Sequence, residues 1–102
     1  MNRIDLLKAY LAKTPDDSFL RHALALELIK LKEDEKAIDL FEQLLADDPD
    51  YVGSYYHLGR ALERRGDTDR AVAVYQKGME VARRLQEDHA YRELQQAADD
   101  LI

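Results

Sequence analysis

The chain has 102 residues, 46% of them apolar, and carries 21 acidic against 15 basic side chains for a net charge of -6. That length and apolar content suit one domain that buries well over half of the surface its unfolded form exposes, and the acidic balance gives no general attraction to polyanions, so nucleic acid is not an expected partner. With no cysteine there are no disulfides, thiolate nucleophiles or cysteine-ligated zinc, which suits a reducing cytoplasm as the expected location.

Residues 2 to 13 place Ile4, Leu7, Tyr10 and Leu11 at three- and four-residue steps, one face of a helix that Pro15 stops. Charges interrupt this segment, so neither a secretory signal nor a membrane partner is expected from it. Asp16, Asp17 and Ser18 supply capping oxygens, and Leu20, Leu24, Leu28 and Leu31 then recur with helical period over about 13 residues. Lys32, Glu33 and Asp34 form a turn. Ala37, Ile38, Phe41, Leu44 and Leu45 make the buried face of the next helix, which ends before Pro49. A fourth helix holds Tyr55, Leu58 and Leu62 and closes at Arg65-Gly66-Asp67, where Gly66 offers a left-handed residue and Asp67 a cap for the fifth helix. Lys32 stands in the same place without glycine's freedom, so the first turn is expected to be the more strained or differently shaped. The fifth helix is expected to bury Ala71, Val72, Tyr75, Met79 and Ala82. Its face then falls out of phase with Tyr91, Leu94, Ala98 and Leu101, which places a break near Gln86 to Asp88.

Sliding the chain by 34 residues lays Pro15 on Pro49, Asp16 on Asp50, Leu24 on Leu58, Ala25 on Gly59, Leu28 on Leu62, Ala37 on Ala71 and Phe41 on Tyr75. A fixed period of this length means stacked copies of one supersecondary unit that share a core. The first segment, moved by the same offset, matches the second helix of a unit: Leu6 falls on Leu40, Leu11 on Leu45 and Ala12 on Ala46. The expected organisation is one all-α domain: a half repeat at 2–14, repeats at 16–49 and 50–85, and a capping helix at 88–101.

These spacings resemble the tetratricopeptide repeat. Tyr55, Leu58, Gly59 and Leu62 stand in its first-helix places and Ala71 and Tyr75 in its second, while the earlier copy departs at Arg21, where an aromatic is expected. The resemblance implies a right-handed superhelical stack of antiparallel helix pairs, about six helices in all. It also implies a non-catalytic module that binds a peptide or partner helix in a concave groove. The groove positions it implies are Phe19, His22, Leu26, Ile29 and Lys30 on one helix, Tyr56, Arg60, Glu63 and Arg64 on the next, and His89 and Arg92 at the far end. His22 and Leu26 stand where members that clamp acidic chaperone tails carry lysine and asparagine, so that ligand is not expected.

Arg60 and Arg64, one helical turn apart, suit a single carboxylate or phosphate, unless Glu63 or nearby acids take them as ion pairs on a solvated face. The unpartnered first helix offers a second function, a homodimer contact through Leu6, Leu7 or Tyr10. No metal or other cofactor is expected, because His22, His57 and His89 lie 35 and 32 residues apart and no helix carries two at ligand spacing. The pairs Asp16-Asp17 and Asp47-Asp48 flank prolines as caps and turns, and Asp99-Asp100 lies at a helix end. No Gly-rich phosphate loop or Ser-His-Asp set fits these helices, so no enzyme activity is expected.

Overall fold

Asn2 starts the first helix, its Oδ1 accepting the amide of Asp5 at 2.8 Å, and Asp17 starts the second in the same way by accepting the amide of Leu20 at 2.9 Å. The computed structural model describes residues 1–102 as six helices and no strand: α1 (Arg3–Lys13), α2 (Ser18–Lys30), α3 (Asp34–Asp47), α4 (Gly53–Arg64), α5 (Thr68–Arg84) and α6 (Asp88–Asp99). None is long and apolar enough to cross a membrane. Asp67 precedes α5 but makes no cap bond, because its carboxylate is drawn to Arg65 at 3.4 Å and Arg70 at 3.7 Å.

One turn recurs three times. After α2, Lys32 takes a φ of 61°, its amide bonds Ile29 O and the amide of Glu33 reaches Leu28 O. Gly66 after α4, at φ 87°, repeats both bonds, as does Gln86 after α5 at φ 60°. Each bond pair satisfies two carbonyls that the helix end leaves open. The first turn therefore has the same shape as the second, and its strain lies in the Cβ that Lys32 carries into left-handed backbone. Lys32→Gly is expected to stabilise the fold by about 0.5–1 kcal/mol, and Gly66→Lys to destabilise it comparably, as midpoint shifts in urea denaturation. The break expected near Gln86 is this third turn, formed without glycine or proline.

The core runs continuously from Leu7 through Leu24, Leu28, Ile38, Phe41, Tyr55, Leu58, Leu62 and Tyr75 to Leu94 and Ala98. Val72, Met79 and Leu45 are only half-buried. Gly78 and Val81 take inward places on α5 that periodicity did not assign. Arg21, in the place of an aromatic, is buried all the same. Its guanidinium reaches the Asp47 carboxylate at 2.8 Å and the main-chain carbonyl of Asp16 at 3.3 Å, so one opposite charge and one carbonyl acceptor replace apolar packing at that corner.

Candidate functional site: the concave face

The backbones of α2 and α4 and of α4 and α6 come close, whereas those of α1, α3 and α5 do not approach one another. The stack therefore closes on the side of α2, α4 and α6 and opens on the other. Small residues make the closeness within a pair possible: a Cβ on Gly59 would lie 2.1 Å from Cε1 of Tyr75, so only glycine lets α4 meet α5 there. Tyr55 turns inward, its hydroxyl donating to Pro49 O at 2.7 Å, and Tyr56 remains half-buried beside Tyr75 and His57.

Phe19 stands 65% exposed at the start of α2, with Leu26 and Ile29 half-buried further along the same helix. His22 is half-buried, its Nδ1 2.8 Å from Ser54 Oγ and its ring 5.5 Å from that of His57. The cations divide. Arg64 grips Asp34 with two bonds of 2.9 and 3.0 Å, and its neighbour Arg65 reaches Glu35 at 3.1 Å. Asp34 and Glu35 lie in the first turn of α3 and Arg64 in the last turn of α4, each favoured by its helix dipole, so side-by-side packing of these ends pairs them. Arg60 has only Glu63 at 3.5 Å, and Glu63 already accepts the Tyr75 hydroxyl. Lys30 pairs with Glu27 at 2.9 Å. His89 and Arg92 are exposed on α6, and Arg92 makes no ion pair or side-chain hydrogen bond. Arg60 and Arg64 thus do not converge on one vacancy.

The α-helical hairpins, the shared core and the glycine-mediated approach of α4 to α5 are those of one known repeat, and its sequence pattern matches residues 28–98. The chain belongs to the tetratricopeptide repeat family. It is 46% identical to a tetratricopeptide repeat domain protein from Salinibacter ruber, whose crystal structure superposes with a TM-score of 0.80 over 83% of this chain and 94% of that one. A Bordetella parapertussis protein solved in solution is 25% identical, with a TM-score of 0.85 over 99% of this chain and 88% of that one. Over 50 residues the chain is 38% identical to lipopolysaccharide assembly protein B of Escherichia coli K12, a match covering 49% of this chain and 13% of that protein's length. Tetratricopeptide repeats are generally non-catalytic scaffolds for protein–protein interaction.

On this tetratricopeptide stack, α1 offers less open apolar surface than its sequence suggests. Leu7 is 5% exposed in the core, leaving Leu6 at 40% and Tyr10 at 49%. Arg3 occupies the place held by Ala37 and Ala71 in the later copies and extends to Glu27 at 3.4 Å. A long charged side chain at a close-packing position suits a flank that faces water. The largest hollow, about 400 Å³, lies between α3 and α5 over Tyr55 and Leu58, and no residue of α2 or α6 lines it. It exists because α3 and α5 stand apart, the Glu42–Arg70 ion pair joining them across the gap.

Proposed function

We propose that the chain is a non-catalytic interaction module that holds a peptide or partner helix against α2, α4 and α6. Phe19, Leu26, Ile29 and Tyr56 supply apolar contact, Arg60 and Arg92 the positive charge, and His22, Lys30, Glu63, Arg64 and His89 the surround. The observation that carries this reading is the contrast among cations: Arg64 is locked by Asp34, while Arg60 is loosely held and Arg92 is unpaired. The ligand that fits is a short segment with an apolar anchor on the α2 side and a carboxylate facing Arg60 and Arg92. The proposed division is a half repeat at 2–14, repeats at 16–49 and 50–85, and a capping helix at 88–101.

The test is affinity capture from the native cell with wild type, Tyr56→Ala, Arg60→Glu/Arg92→Glu, and Lys77→Glu in the outer hollow as control. Proteins captured by wild type and Lys77→Glu but lost with the concave variants support the reading, and equal capture by all four overturns it. With the captured partner in hand, Tyr56→Ala is expected to weaken binding about 10-fold. The arginine variant is expected to weaken it about 2- to 10-fold at low salt, with the loss shrinking as salt rises.

A further inference from the structure

His22 and His57 come from different helices, α2 and α4, yet their rings meet edge to face at 5.5 Å with planes 68° apart. Other side chains flank the contact. From α3, Phe41 lies 5.7 Å from His22 and stacks on His57 at 6.4 Å; from the linker, Tyr51 lies 5.4 Å from His22. Ser54, fully buried at the start of α4, bonds His22 through its hydroxyl. α2 and α4 approach one another only narrowly and α3 packs more extensively on α4, so this aromatic cluster lies at the α2–α4 side of the joint between the two helix pairs. The other charged or titratable groups that bear on it are Asp50 and Tyr51 beside His22, Asp17 and Asp48 acting on Tyr51, Tyr56 and Arg64 on α4, and Glu93 on α6. No carboxylate is hydrogen-bonded to either imidazole.

We propose that the His22–His57 pair is a pH-sensitive latch between α2 and α4: neutral rings hold the seam closed, and protonation drives it open. Two imidazolium rings at this separation repel, and no carboxylate is hydrogen-bonded to either to offset this. Burial pushes His22 down to about 4, with the charge of His57 as the second cause. Burial lowers His57 too; Glu93 opposes that shift and Arg64 adds to it. The direction comes from proton linkage. An opened seam returns His22 to its ordinary value of 6.5, so the opened form binds more protons, and the closed form loses ground as pH falls from 6.5 toward about 4. At pH 5, His22 alone favours opening about 20-fold relative to pH 7. Because His22 lies on the concave face, an opened seam separates the walls of the groove; this consequence for binding rests on the function proposed above.

The test uses the ligand-free full chain, so its result does not depend on whether the groove binds anything. Histidine ring shifts are followed by NMR from pH 7 to pH 4, together with hydrogen exchange at the amides of Ser54 and Tyr55, which bond Tyr51 O and Val52 O in the first turn of α4. The expected result is a His22 ring that stays neutral to about pH 5 while protection of those two amides, corrected for intrinsic exchange, falls about 20-fold between pH 7 and pH 5. In His22→Phe, which keeps ring packing, and His22→Gln, which keeps a polar partner for Ser54, that fall should shrink severalfold, leaving only the part that His57 carries. Asp48, Asp50 and Glu93 are present in all three chains, so their titration cancels. Titration of His22 near its ordinary value, unchanged protection in wild type, or an equal fall in both variants overturns the latch.

Discussion

Truncating Tyr75 to alanine is expected to cost the fold about 3–5 kcal/mol, the range for removing a buried aromatic ring. Tyr75 has no exposed surface, its ring fills the space over Gly59 between α4 and α5, and its hydroxyl donates to Glu63. Burial and the neighbouring carboxylate both hold the phenol above its usual value, so the group is a neutral donor at neutral pH. A domain of this size is stable by about 5–15 kcal/mol, so the loss is a large share of the whole. Tyr75→Phe, which keeps the ring and removes one hydrogen bond, should cost about 1 kcal/mol. Urea denaturation of the two variants checks both figures. A loss below about 1 kcal/mol for the alanine variant would contradict full burial of the ring between α4 and α5.

Gly59→Ala tests the same contact from the other side. On an open helix face this change gains about 0.8–1.0 kcal/mol of helix propensity. Here the new Cβ would meet three ring atoms of Tyr75 within 2.6 Å, and a fully buried ring has no space into which to retreat. The expected outcome is a loss of about 1–3 kcal/mol, seen as a fall in Tm of several degrees or more in a circular dichroism melt. The sign is the test. In a Tyr75→Ala background the clash is gone, so Gly59→Ala should turn neutral or stabilising, a non-additivity that a double-mutant cycle reads directly. Ala25 occupies the equivalent place opposite Phe41 in the earlier copy, so the stack can carry alanine there where the pair is spaced for it.

The sequence by itself determined the helices, their order and most of their buried faces. The 34-residue offset, Pro15 and Pro49, and the recurrence of Leu24, Leu28, Leu58, Leu62, Ala37, Ala71, Phe41 and Tyr75 were enough for that. The reason is that helical periodicity and helix termination act over three or four residues, so any short window carries them. Gly78 left no periodic signal because it has no side chain, and Gln86 gave no sign of its left-handed turn because that conformation is imposed where α5 must fold back onto α6. The site was legible only in part. Periodicity placed Tyr55 inward, but the grip of Asp34 on Arg64 spans 30 residues and the meeting of His22 with His57 spans 35. No spacing within one helix encodes either contact. Both depend on the angle at which one helix pair packs on the next, and only the tertiary structure, through the close approaches at its seams, sets that angle and so decides which charges are taken and which stay free.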